Sequence, residues 1–211
     1  MATSTRRYRS TLRQAKADET RAAVLAAAAE LFVARGWAGT SMRDIAARAG
    51  CAVETVYSSV GNKREILKVV LDVAVVGDDE PVPLLERPEF HAIAAGVMRE
   101  RAVKLASLLE TVNRRSAALH RVLVQAAAAD AELAALAARD RANRWTSMRA
   151  GVEAVTGRPV TDAEADSLRA VLGGEVYLAL TEESAWTPDK YRNWAADTVI
   201  RLLDLAEEQI S

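Results

Sequence analysis

The scarcity of turn-forming residues constrains this chain more than any other feature. Its 211 residues include 10 glycines and 5 prolines, whereas an all-β fold needs many turns that contain these residues. Alanine, leucine, arginine and glutamate are abundant and are strong helix formers. Because apolar residues also recur at helical spacing along most of the chain, we predict an all-α protein of about nine helices.

Charge is distributed unevenly along the chain. Residues 1–70 hold 12 Lys or Arg and 6 Asp or Glu, a net charge of +6, whereas residues 71–211 hold 16 and 23, a net charge of −7. Residues 1–17 are basic and lack apolar periodicity, so we predict a flexible arm there. Such an arm suits an anionic partner, although basic tails also serve solubility alone.

The sequence carries no signal for a membrane, a metal or a reaction. No apolar run approaches the ~20 residues of a membrane helix. A secretory signal requires an apolar stretch after its basic residues, and none follows the N-terminal arginines here. His91 and His120 are far apart and lack metal-ligand spacing with Cys51, and no phosphate loop or nucleophile motif occurs. We expect a cytoplasmic protein with no membrane contact, no metal, no cofactor and no catalytic residue.

Start and stop signals divide residues 18–76 into four helices, each with an apolar stripe. Gly50 lets the chain turn sharply and begin the next helix within two residues. The start signals are the N-cap Asp18 and two capping boxes, Ser41 with Asp44 and Asn62 with Glu65, and the stop signals are Gly36, Gly50 and Gly61.

Residues 77–88 hold three prolines and four acidic residues, which predicts a linker between two domains. Beyond it we predict helices at 89–110, 113–128, 131–156, 162–181 and 188–209. Gly173 and Gly174 lie inside one of them and predict a kink or a close backbone approach. The start signals in this half are Asp130, the capping box of Thr161 with Glu164, and Thr187 followed by Pro188.

Two short helices joined by a glycine turn, the second about two turns long, indicate a helix-turn-helix whose second helix enters the DNA major groove. A helical hairpin in any bundle has the same spacing. Three further features favour DNA. The unit lies in the basic part of the chain, its second helix carries several hydroxyl groups, and Lys63 begins the following helix, where a phosphate is stabilised.

The segment Gly39-Thr40-Ser41-Met42-Arg43-Asp44-Ile45-Ala46-Ala47-Arg48-Ala49-Gly50, with Thr55-Val56-Tyr57 and Asn62-Lys63-Arg64-Glu65 after it, resembles the DNA-binding domain of the tetracycline repressor (TetR) family. The resemblance implies an N-terminal three-helix helix-turn-helix domain at 18–76 and a C-terminal helical bundle at 89–211 for effector binding and dimerisation. Family members usually have Ser or Thr where Ala52 stands, so this recognition helix lacks a side-chain cap. Ser59-Val60 replaces the usual aromatic pair.

The predicted DNA contacts fall into two groups. Val53 is suited to a thymine methyl group and Glu54 to a cytosine amine, although Glu54 also suits the positive end of the helix dipole. The residues placed for phosphate are Ser41, Arg43, Tyr57 and Lys63, and those placed for bases are Val53, Glu54, Thr55 and Ser58.

Two further sets are assigned to the C-terminal bundle, where plain core packing is the alternative for each residue. Large or adaptable side chains suited to an effector pocket are Phe90, Met98, Trp145, Met148 and Tyr177. Those assigned to a dimer interface are Gly173, Gly174, Trp194, Thr198, Leu202 and Leu203.

These assignments predict a homodimeric transcription regulator, a repressor that binds an inverted-repeat operator on double-stranded DNA. An apolar or aromatic small-molecule effector would modulate binding through the helix at 62–76. The alternative is a constitutive helix-turn-helix protein with no effector. An architectural protein that coats DNA would need a basic second half, whereas residues 71–211 are net acidic.

Overall fold

The computed structural model describes residues 2–203, with side chains described from residue 14 onward. Within these residues the chain is helical and contains no strand. The helices are α1 (Ala2–Arg35), α2 (Met42–Ala49), α3 (Val53–Ser59), α4 (Lys63–Val76), α5 (Pro88–His91), α6 (Met98–Ala127), α7 (Ala131–Thr156), α8 (Asp162–Leu172), α9 (Gly174–Leu178) and α10 (Pro188–Leu202).

Helix α1 begins earlier than predicted. It starts at Ala2 rather than after Asp18, so the flexible arm predicted for residues 1–17 is wrong from Ala2 onward. Neither glycine nor proline interrupts residues 2–17, and their helix-forming residues allow the helix to extend.

The predicted start signals are confirmed in five helices. Side chains cap each of them, and α2, α4 and α8 have complete capping boxes. The capping residues are Ser41 for α2, Asn62 for α4, Asp130 for α7, Thr161 for α8 and Thr187 for α10.

The predicted pair of helices at 89–110 and 113–128 is wrong. One helix, α6, runs through residues 111–112, because no glycine or proline stands there to end it. The break lies earlier, at Gly96, whose φ of 93° ends the short helical turns of residues 88–94. Residues 204–209 of the last predicted helix lie outside the described part of the chain.

The kink predicted at Gly173 and Gly174 is confirmed. Gly173 is extended, with φ −69° and ψ 167°, and separates α8 from α9. Gly174 is buried against α6, where a β-carbon at this position would lie 3.2 Å from the β-carbon of Ala117. Glycine therefore permits α9 to lie directly on α6.

Buried apolar side chains form two cores. The first core joins α1–α4 to the hairpin tip where α6 ends and α7 begins, through Leu119, Leu123 and Leu133. The second core joins α6, α7, α8, α9 and α10. Because α6 and α7 contribute to both cores, the helix-turn-helix packs directly onto the C-terminal helices.

Candidate nucleic-acid interface and cavity

The turn between α2 and α3 has the geometry of a helix-turn-helix. Gly50 ends α2 in the left-handed conformation, with φ 69°, and its N–H donates back to the carbonyl groups of α2. Ile45 and Val56 are fully buried and fix the two helices on the first core. Ala52 begins α3 with no side-chain hydrogen bond, as its sequence predicts.

The outer surface of this unit carries most of the residues assigned to DNA. Tyr57 is 52% exposed, whereas Val53, Thr55 and Lys63 are half-buried. The exposed residues of the set are Ser41, Arg43, Glu54, Tyr57 and Ser58.

Ser41 is occupied as a helix cap. Its hydroxyl and its backbone N–H both donate to Oδ2 of Asp44, at 2.5 and 2.8 Å. These hydrogen bonds lower the pKa of Asp44. Because its donors already serve the cap, Ser41 is less available to phosphate than the exposed guanidinium of Arg43.

Lys63 lies against Trp37, in the loop before α2. Its ammonium group donates to the Trp37 carbonyl at 2.5 Å and lies 4.1 Å from the centre of the indole ring. Burial lowers the pKa of Lys63. An ammonium group has three donors, so this contact positions Lys63 and leaves donors for a phosphate.

Arg21 joins three segments next to the recognition helix α3. From α1, its Nη1 donates to the Ser59 carbonyl at the end of α3 at 2.8 Å, and its Nε donates to Asp79 at 2.6 Å. Asp79 belongs to the segment 77–87, which Arg87 fastens by two hydrogen bonds of 2.7 Å to Asp78. We call the contacts of Arg21 with Ser59 and Asp79 the Arg21 bridge.

A cavity of about 850 Å³ borders the segment that Arg21 and Arg87 hold. Its walls come from the second half of α4, residues 80–85, Phe90, α6, α7 and the junction of α8 with α9. The end of the helix-turn-helix domain and the segment after it therefore form part of the cavity wall.

The cavity has an apolar end and a polar end, both on one face of α6. Leu105, Leu108 and Leu109 line the first, with Phe90 and Met148. Asn113, Ser116 and His120 follow along α6 toward the second. The numbers of acidic and basic groups in the lining are nearly equal. The four carboxylates belong to Asp72, Glu80, Asp140 and Glu175, and the three guanidinium groups to Arg141, Arg144 and Arg169.

A buried hydrogen-bonded group marks the polar end. His120 Nε2 lies 3.1 Å from Asp140 Oδ1, and Arg144 Nε donates to the other oxygen of Asp140 at 2.9 Å. Burial raises the pKa of Asp140, but its bonds to His120 and Arg144 outweigh this effect and lower it. Burial raises the pKa of nearby Asp72.

Comparison with known proteins agrees with this architecture. The sequence model of bacterial regulatory proteins, tetR family, matches residues 24–70. An HTH-type transcriptional repressor of Mycobacterium tuberculosis and an HTH-type transcriptional regulator of Mycobacterium bovis are each 31% identical over 115 residues. The match covers 46% of this chain and 61% of each relative, so the chain spans less than two thirds of their length.

Solved structures share the fold over most of the chain. A TetR-family member from Streptomyces coelicolor has a TM-score of 0.57 and 23% identity, over 87% of this chain and 97% of its own. NalD, the secondary repressor of the MexAB-OprM multidrug efflux pump in Pseudomonas aeruginosa, has a TM-score of 0.60 and 21% identity, over 88% and 96%. This chain is therefore similar to the tetR family over residues 24–70.

The residues assigned to an effector separate into two groups. Phe90 and Met148 line the cavity, whereas Met98, Trp145 and Tyr177 are absent from its walls. Met98 packs against the second core. Trp145 donates to Asp166 at 3.1 Å, and the Tyr177 hydroxyl lies 3.5 Å from the buried carboxylate of Glu110.

The residues assigned to a dimer interface also differ in exposure. Leu202 is 43% exposed, whereas Leu203 is 5% exposed and belongs to the second core. Trp194 and Thr198 are half-buried, and Gly174 is covered by α6. The face of α10 is therefore shared between the core of this chain and its surface.

Sequence reasoning missed Arg21, Trp37 and the polar end of the cavity. A signal for the last was present, because Asn113, Ser116 and His120 recur at helical spacing on α6. Within residues 2–203 no helix is long and apolar enough to cross a membrane. The described side chains form no cluster of three or more potential metal ligands.

Proposed function

We propose that this chain is a transcription regulator, a cytoplasmic repressor whose operator binding is modulated by a small molecule in the cavity. The family supports operator binding, and the relatives named as regulators support control of transcription. The observation that supports control by an effector is that α4 and residues 80–85 form part of the cavity wall. A ligand that moves this wall acts on the helix-turn-helix without an intermediary.

In this proposal α3 lies in the major groove. Arg43, Tyr57 and Lys63 bind phosphates and set the register, with Ser41 in a secondary role. Val53, Glu54, Thr55 and Ser58 face base edges. The contacts to phosphate set the salt dependence of affinity, and those to base edges set the sequence preference.

We propose that the operator is an inverted repeat read by a homodimer. One α3 helix contacts few base pairs, and a two-fold dimer presents two such helices about 34 Å apart or more. The exposed part of α10, with Leu202, and the neighbouring α8 supply the interface in this proposal. Gly173 and Gly174 shape it through the kink between α8 and α9.

Three connections can carry a movement of the cavity wall to α3. Helix α4 is continuous from Asp72 in the cavity to Lys63 at the DNA end. The Arg21 bridge joins residues 77–87 to the end of α3. Arg64 of α4 pairs with Asp130, the N-cap of α7, at 2.8 Å. An effector that weakens DNA binding 100-fold requires about 2.7 kcal/mol of coupling.

The test begins with operator sequences selected from random DNA. We expect an inverted repeat, bound by a dimer. A small-molecule collection is then screened for thermal stabilisation, and the operator affinity is measured with each compound that binds. Reciprocity requires the operator to change the affinity for an effector by the same factor. If compounds bind the cavity and leave operator affinity unchanged, the constitutive alternative is favoured.

A further inference from the structure

His120 faces the cavity with one ring nitrogen already bonded. The residue is 6% exposed, and its Nε2 pairs with Asp140 at 3.1 Å. No other side-chain or backbone group among residues 14–203 forms a hydrogen bond with the ring. Its Nδ1 is therefore the nitrogen that a ligand can reach.

The neighbours of His120 determine what its Nδ1 offers. Asp140 is a carboxylate that can only accept, so the proton of the neutral ring lies on Nε2 and Nδ1 carries a lone pair. Arg144 already neutralises Asp140 through its bond at 2.9 Å. In its neutral form the ring therefore presents an acceptor at Nδ1.

The charges around the cavity disfavour an ionised ligand. The lining carboxylates and guanidinium groups nearly balance. At the polar end, the carboxylates of Asp72 and Asp140 offset the guanidinium groups of Arg141 and Arg144, so an ion gains little net attraction to compensate for the loss of its hydration. A neutral group that donates one hydrogen bond does not meet this penalty.

We infer that the cavity binds a small molecule with an apolar body and a neutral hydroxyl group, and that this hydroxyl donates to Nδ1 of His120. The inference rests on the proposed function, since it names the chemical class of the effector. The apolar body lies toward Leu109, Phe90 and Met148. Leu109 and His120 are eleven residues apart on α6, about 16 Å along the helix axis, so a ligand that contacts both side chains is elongated.

The test uses four compounds that share one apolar body: 4-hexylphenol, its methyl ether, 4-hexylbenzoate and 4-hexylbenzylamine. Affinities are measured by calorimetry on the full chain. We expect the phenol to bind about tenfold or more tightly than the other three, since only the phenol supplies the neutral donor. Equal affinity of phenol and ether overturns the inference, and so does a preference for the benzoate or the amine, or no binding by any compound.

The two histidines of the chain provide a matched control. His91 is exposed on α5 and does not line the cavity, so His91→Phe should keep the preference for the phenol, whereas His120→Phe should reduce it below about threefold.

Nitrogen NMR of the wild-type imidazole groups gives a second measurement that needs no variant. We expect an unprotonated Nδ1 on His120 whose resonance shifts when the phenol is added. A protonated Nδ1 in the free protein, or no shift on saturation, overturns the inference. If the phenol binds as expected and operator affinity does not change, the proposed regulation fails while the ligand site stands.

Discussion

Arg21 and Ser59 are 38 residues apart in sequence, yet the guanidinium of Arg21 donates to the Ser59 carbonyl at 2.8 Å. The same guanidinium binds Asp79, in the segment that borders the cavity. The end of the recognition helix and the cavity wall are thus held by one side chain.

Removal of this side chain should loosen both segments together. In Arg21→Met we expect faster hydrogen exchange at the amides of Val60 and Gly61, which bond back to Val56, and at the amide of Val82. The increase should be up to about fivefold, because an exposed ion pair contributes up to about 1 kcal/mol. Exchange mass spectrometry measures the change.

The matched control is Arg158→Met, which removes another exposed ion pair, with Glu164, far from the recognition helix in sequence. It should leave exchange at residues 60–61 and 82 unchanged. A response of only one segment in Arg21→Met would show that Arg21 does not couple them.

The uncapped recognition helix offers a stabilising change. Ala52 has φ −74° and ψ 153°, which suit an N-cap, and it is exposed. In Ala52→Ser the hydroxyl can accept from the Thr55 amide, so the free energy of unfolding should rise by about 1 kcal/mol. Denaturant unfolding measures it. Ala47→Ser, at an exposed position inside α2, should not stabilise the protein.

Lys63 should contribute to both DNA affinity and stability. Lys63→Met keeps a long chain over Trp37 but removes the charge, so the salt slope of operator binding should fall by about one unit. The bond to the Trp37 carbonyl is lost as well, which should reduce the free energy of unfolding by about 1 kcal/mol.

Arg43→Met serves as the comparison, since Arg43 is exposed and forms no described ion pair. It should reduce the salt slope with little change in stability. An unchanged salt slope in Lys63→Met, together with a lower free energy of unfolding than in wild type, would limit Lys63 to a structural role.

Dimerisation is tested at Leu202. Leu202→Glu places a charge on the exposed face of α10 and should shift the protein to monomers at micromolar concentration, because a buried unpaired charge disfavours the interface. Sedimentation gives the mass. Val33→Glu, at a position of α1 that is 48% exposed, should remain dimeric. Leu203 is unsuitable for this purpose, because a charge there would disrupt the second core.

Glu164 should contribute to stability in a pH-dependent manner. Hydrogen bonds from Arg158 and Thr161 lower its pKa from 4.5 to about 2. Because the folded protein favours the carboxylate, this contribution is complete above pH 4.5 and is lost as the pH falls toward 2. In Glu164→Gln, the decline of unfolding free energy between pH 5 and pH 2 should be shallower than in wild type. A parallel decline would exclude the contribution.

Local signals in the sequence were sufficient for most helix boundaries. Asn62 with Glu65 and Thr161 with Glu164 cap helices through contacts only three residues apart. Such contacts depend little on the rest of the fold, which is why the predicted boundaries agree. The break predicted near residues 111–112 had no comparable local cause, and α6 passes through it.

The cavity depended on contacts that no local pattern contains. His120 and Asp140 come from different helices, and Arg21 reaches segments 38 and 58 residues away. Trp145 and Tyr177 looked suited to a pocket because they are aromatic, but their partners Asp166 and Glu110 lie outside its walls. The sequence shows that these side chains are aromatic or charged, but it does not show which distant residues they contact.

The packing of the α6–α7 tip into the first core limits how this chain can be recombined with its relatives. A chimera cut at residue 77 would separate Leu119, Leu123 and Leu133 from the helices that bury them. In such a chimera, α1–α4 and the α6–α7 tip would each pack against a surface from the other protein, to which their side chains are not matched. Exchange of DNA specificity with a relative should therefore transfer residues 119–137 together with the helix-turn-helix, or change only the exposed side chains of α3.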